Sequence, residues 1–162
     1  MDESAHAGEE PAAYVERVAR AKAEVIAGRH AGAVVVAADT AVVVDGEILG
    51  KPVDADDAVA ILRRLSDRAH AVMTGLAVAV DNRMVADVVT TTVWFRPLRD
   101  DDIAWYVATG EPMDKAGAYG IQGIGGLFVD RIEGNHQNVV GLPLPHLADL
   151  LDSTGHPLGS FR

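Results

Sequence analysis

Apolar positions in this chain follow two periods. Continuous β-branched runs and alternation by two occupy residues 34–49, 69–80 and 84–95, which predicts strands. A period near 3.6 begins at Pro11, where Glu9 and Glu10 precede a first-position proline, and stops at Gly28. It returns after Asp54, which reads as an N-cap ahead of the stripe Ala58, Ile61, Leu62 and Leu65. It appears again after Asp100, with Ile103, Tyr106 and Val107 on one face and Gly110 as the stop, and last beyond Pro145 with Leu147, Leu150 and Leu151. Strands mixed with helices over 162 residues predict a single α/β domain, residues 1–162, with room for a sizeable core.

Residues 34–52 concentrate the chemistry. A run at 34–36 reads as a buried strand ending at Asp39-Thr40, and a second run, 41–44, closes at the hairpin-type turn Asp45-Gly46 before Gly50-Lys51-Pro52. Such a hairpin returns Lys51 towards Asp39. A surface salt bridge at a strand end and a chemical site are both open on spacing alone. An ionised carboxylate inside so apolar a segment requires a cation, a metal or a proton.

In the first helix the apolar stripe reads Val15, Val18, Ala19, Val25 and Ile26, and Lys22 is the one charge within it. Either its ammonium snorkels to water or it meets a partner in the core. The long hairpin at 69–95 turns at Asp81-Asn82 and is interrupted by Thr74-Gly75, a signal for a bulge or, less often, for close approach of another backbone or a ligand. Asp100-Asp101-Asp102 could hold a metal, but at a helix start they favour the dipole. Arg63 and Arg64 fall off the core stripe on a solvated face, with a phosphate contact as the alternative. The glycine-rich segment 114–123, followed by Gly125-Gly126 and a strand at 127–132, offers backbone N–H groups and Lys115 to an anion. Asp2-Glu3-Ser4 reads as loop.

Fourteen basic against 24 acidic residues, net −10, oppose binding to nucleic acid or to anionic membranes. A polyanionic substrate would need a local cationic pocket or a divalent metal. The absence of cysteine excludes disulfides, a thiolate nucleophile and zinc–thiolate sites, and with no apolar leader or spanning segment the expectation is a cytoplasmic protein.

Ala38-Asp39-Thr40, Gly50-Lys51-Pro52, Thr74-Gly75, Phe95-Arg96-Pro97-Leu98, residues 114–123 and Asn138-Val139-Val140-Gly141-Leu142-Pro143, in this order, resemble the Maf family of nucleotide pyrophosphatases. The resemblance implies an elongated two-lobed fold with a mixed, twisted sheet, like that of the inosine triphosphate pyrophosphatases. It implies hydrolysis of a nucleoside triphosphate to the monophosphate and pyrophosphate with Mg²⁺ or Mn²⁺. Asp39 takes the general-base position, Lys22 and Lys51 the two phosphate-facing lysines, and Thr40 and Gln122 the base-selecting positions of the branch acting on dTTP and UTP. Glu3 matches an acidic residue ahead of the first long helix, which makes Asp39 and then Glu3 the expected metal ligands. The family pattern also opens with a strand ending Ser-x-Ser-Pro-Arg-Arg. This sequence lacks it, so the expectation is an N-terminally truncated Maf-like domain, by a start site set too far downstream, whose activity as written is weakened. A nucleotide-binding regulator of cell division without turnover is the alternative, and a homodimer is left open.

Overall fold

The computed structural model describes residues 3–161; Asp2, read above with the N-terminal loop, lies outside them. Among these residues five α-helices, α1 (Pro11–Ala27), α2 (Ala55–Leu65), α3 (Asp100–Ala108), α4 (His136–Val140) and α5 (Leu144–Ser153), accompany five strands, β1 (Val34–Val44), β2 (Glu47–Leu49), β3 (Ala69–Val80), β4 (Arg83–Phe95) and β5 (Val129–Glu133). The strands form one sheet in the order β2-β1-β3-β4-β5. The α/β class is as expected. The mixed pairing is not: all four strand pairs among the described residues are antiparallel. Tight hairpins fix two of the pairs. Asp45 and Gly46 both adopt positive φ (54° and 79°), the geometry a two-residue turn needs, and Asp81 at 52° begins the β3–β4 turn.

One expected break is absent. β1 runs without interruption through Asp39-Thr40, with Asp39 opposite Gly75 and Thr40 opposite Thr74. Its backbone stays in the ladder because the Asp39 charge finds a cation at the side chain, so the strand has no reason to end there. The register of β3 is equally continuous, so Thr74-Gly75 is no bulge. Gly75 is instead where α1 crosses the sheet: a Cβ at this position would overlap the backbone of Val15 and come within 2.7 Å of the Glu16 nitrogen.

Side-chain alternation gives the sheet two unlike faces. Val35, Ala41, Val43, Ala77 and Ala79 pack with Val15, Ala19 and Ala23 of α1. On the other face Val42, Val44, Val72, Val93 and Phe95 join Leu62 and Leu65 of α2, Tyr106 of α3, and Tyr119 and Phe128 in the largest core. Further along that face Val78 and Val80 meet Leu151 of α5. α4 packs on the sheet against β3 and β4. The α1 stripe differs from expectation at one end. Val25 and Ile26 are 42% exposed, while Pro11 and Ala23 take buried places, because the apolar row drifts round a straight helix.

α2 has the expected cap, with Asp54 Oδ1 accepting from the Asp57 N–H at 2.8 Å, and Arg63 and Arg64 form exposed ion pairs with Asp100 and Glu47. The Asp100-Asp101-Asp102 run opens α3, and Asp102 pairs with Arg99 and Arg96. Where a strand was expected from residue 127, a 3-10 turn at Ile124–Phe128 precedes β5.

Candidate active site

Lys22 settles one open question at once. Its Nζ lies 2.7 Å from Asp39 Oδ1 and 3.2 Å from Glu3 Oε2, so it neither snorkels nor stands alone. Asp39 is 12% exposed at the side chain. Burial alone would lower the Lys22 pKa, but hydrogen bonding and charge from Asp39, then from Glu3, outweigh it and raise the value. Tyr14 stands close by; burial first, then the charges of Asp39 and Glu3, raise its pKa. Sequence reading passed over Tyr14, although it lies eight positions before Lys22 on the same helix face.

Thr40 follows Asp39 and therefore points to the opposite face. It opens onto a cavity of about 340 Å³ lined by Val42, Lys51, Lys115, Tyr119 and Gln122 among others. Four residues singled out from sequence, Thr40, Lys51, Lys115 and Gln122, thus share one cavity, while Lys22, Asp39 and Glu3 share one charge cluster. Lys51 makes no ion pair with Asp39: the β1–β2 register pairs Val42 with Leu49, so Lys51 falls level with Thr40 on the cavity side. β2 pairs with β1 only at Val42–Val44, so among the described residues no strand covers the outer edge of β1 from residue 34 to 41. Cavity and charge cluster thus lie on opposite faces of β1, along the stretch whose outer edge no described strand covers.

Lys115 holds Asp114 at 2.6 Å and lowers its pKa by hydrogen bonding and charge. The glycine-rich loop is organised by a residue that spacing did not reveal. Glu111 accepts hydrogen bonds from Tyr106 Oη (2.9 Å), Ile124 N–H (2.9 Å) and Gly125 N–H (3.0 Å). Burial pushes its pKa up, but these bonds prevail and hold it low. A Cβ at Gly123 would stand 2.5 Å from Glu111 Oε1, so the glycine makes room for the carboxylate. The N–H groups of Ile124 and Gly125 are thereby spent on Glu111 rather than offered to an anion.

α4 is fastened to the sheet by buried polar groups. Asn138, fully buried, donates from Nδ2 to the Val72 carbonyl (2.9 Å) and to Thr91 Oγ1 (3.0 Å). Asn135 caps the helix by accepting from the Asn138 N–H at 3.0 Å. Val139 and Val140 of this helix also line the cavity.

Asp39 and Glu3 are suited to a divalent cation. Two carboxylates converge on one ammonium, and Mg²⁺ is commonly bound by one or two carboxylates with substrate phosphates completing the shell. Among the described residues no cluster of three or more His, Cys, Asp or Glu side chains surrounds a metal position, and no helix is long and apolar enough to cross a membrane.

The sequence matches the Maf-like protein family over residues 1–154. It is 54% identical to a protein of Anaeromyxobacter sp. (strain Fw109-5), over 97% of this chain and 77% of that one, and 53% identical to a protein of Myxococcus xanthus, over 98% and 80%. A protein of Symbiobacterium thermophilum is 50% identical over 98% of this chain and 81% of its own; all three are named dTTP/UTP pyrophosphatase. With the family match spanning nearly the whole sequence and relatives at this identity, the chain belongs to the Maf-like family.

Proposed function

We propose that this chain is a nucleoside triphosphate pyrophosphatase of the cytoplasm that splits dTTP and UTP between the α and β phosphates. The observation that carries the reading is the convergence of Thr40, Lys51, Lys115 and Gln122 on one cavity, across an open strand edge from Asp39 and Lys22. A nucleotide laid over that edge places its base in the cavity and its phosphates towards the lysines.

Asp39 accepts the proton of the attacking water, whose oxygen bonds to the α-phosphorus as the bond to the bridging oxygen breaks and pyrophosphate leaves. Lys22, pointing at Asp39, keeps the carboxylate oriented and donates to phosphate oxygens as their charge grows. Lys51 and Lys115 neutralise the rest of the triphosphate. Asp39 and Glu3 would hold Mg²⁺ or Mn²⁺, which when bound supplies charge neutralisation and a more acidic water.

Release of pyrophosphate from UTP, dTTP and GTP in Mg²⁺ or Mn²⁺ tests the assignment. Equimolar monophosphate and pyrophosphate from UTP and dTTP are expected. Orthophosphate with a diphosphate product would overturn the bond cleaved, and tight nucleotide binding without release would point to a regulator instead.

A further inference from the structure

The hydroxyl of Thr74 has one proton and two acceptors within reach. Its Oγ1 lies 3.2 Å from the Asn138 carbonyl oxygen and 2.9 Å from Thr40 Oγ1. Thr74 is fully buried, so its proton goes to one of these two. If it goes to the Asn138 carbonyl, Thr40 donates in turn to Thr74, and both protons are used inside the protein in a chain whose bonds strengthen one another. If it goes to Thr40, the Thr40 proton is turned out towards the cavity and the bond to Asn138 is lost. The first order makes one more internal hydrogen bond and is the ground state. Asn138 is itself anchored, through Nδ2 to Val72 and Thr91 and through its N–H to Asn135 Oδ1, which holds the end of the chain in place.

We propose that Thr74 is a specificity-determining positioning residue: through the relay Thr40 to Thr74 to the Asn138 carbonyl, it holds the Thr40 hydroxyl as a hydrogen-bond acceptor towards the cavity, selecting a base with a ring N–H. The inference rests on the nucleotide reading and deepens it. Thymine and uracil carry a hydrogen at N3, whereas cytosine presents only a lone pair there. Cytosine could offer its 4-amino group instead, and that orientation would appear as a preference for CTP. GTP and ITP carry the same ring N–H on a larger base, so they report whether cavity size or donor pattern governs selection.

The test is the ratio of kcat/KM for UTP to that for CTP. Wild type is expected to favour UTP, and Thr74→Val to lower the ratio by about threefold to tenfold, the worth of one neutral hydrogen bond. The change should lie mainly in KM, because the base is remote from the reacting phosphorus. Thr74→Ser, which keeps the hydroxyl, should keep the ratio. Loss of packing alone would slow both nucleotides equally and leave the ratio unmoved. Valine suits this place, since the Asn138 carbonyl retains the Gly141 N–H at 3.0 Å and is not left bare. An unchanged ratio in a folded Thr74→Val protein, or a wild type that prefers CTP, would overturn the relay. If no nucleotide is hydrolysed at all, the pyrophosphatase reading fails, and dissociation constants of UMP and CMP with wild type and both variants then decide the relay by the same ratio. Should Thr74→Val not fold, Thr74→Ala and the wild-type UTP-to-CTP preference carry the decision.

Discussion

At the scale of single residues the decisive contact is Lys22 with Asp39 at 2.7 Å. Helical period made Lys22 conspicuous because it was a charge in an apolar stripe, and an apolar strand made Asp39 conspicuous for the same reason. The two anomalies answer each other. Asp39→Asn keeps size and hydrogen-bonding capacity but removes the proton acceptor, so pyrophosphate release should fall by about two to four powers of ten with nucleotide affinity retained. Lys22→Met fits the stripe but leaves Asp39, 12% exposed, without its cation. It should therefore lower stability by about 1 kcal/mol in urea unfolding. The double variant Lys22→Met, Asp39→Asn should recover most of that loss, which a snorkelling lysine would not show. What spacing could not reveal was Glu3 at the same ammonium, since nothing in a terminal loop's sequence says which helix face it lies along.

Elements were largely legible, and their errors share a cause. Strand and helix extents followed from period, but features set by a distant segment did not. The glycine at 75 reads locally as a bulge or, less often, as the close approach of another backbone, and the second is what the structure has: Gly75, the register partner of Asp39, lets α1 lie on the sheet. Gly75→Ala should cost about 1 to 3 kcal/mol by overpacking, while Gly50→Ala, which meets nothing within 4 Å, should leave stability almost unaltered; urea midpoints compare them. The glycine-rich loop was legible as a ligand-facing segment and not as a loop tied to Glu111, because its anchor precedes it and resembles an ordinary helix-end acid. Glu111→Ala leaves two backbone N–H groups and the Tyr106 hydroxyl without their acceptor. KM for UTP should rise several-fold as Gln122 loses its fixed place, with hydrogen exchange at Ile124 and Gly125 accelerating in parallel. α4 escaped notice because a five-residue helix carries no period; a cap at Asn135 was its sole local signal.

On the scale of the whole molecule, one sheet serves two cores and a cleft. α1 lies over β1, β3 and β4 on one face, while the other face carries the large aromatic core, the cavity beside it, α4 and the α5 contact. The aromatic core contains a buried titrating group, His70. His70 is 3% exposed, packed edge-on against Phe95 and Tyr119, with Nε2 2.8 Å from the Tyr119 hydroxyl and Nδ1 without a partner. Burial, with a smaller contribution from Arg68, lowers its pKa from 6.5 to about 4. The unfolded chain therefore takes up this proton near pH 6.5 and the folded chain only near pH 4. Stability from the neutral imidazole is complete above 6.5 and is withdrawn as pH falls from 6.5 to about 4, amounting to about 3 kcal/mol over that window. Carboxylates held low, such as Glu111, act in a separate range, losing their contribution only below pH 4.5. His70→Gln keeps a polar group for Tyr119 without titrating. Its stability should change little between pH 7 and 5, where the wild type declines, and the two unfolding free energies should converge towards pH 4. Urea titrations of both proteins at half-unit pH steps measure this, and parallel curves over pH 7 to 4 would remove His70 as the source of acid sensitivity.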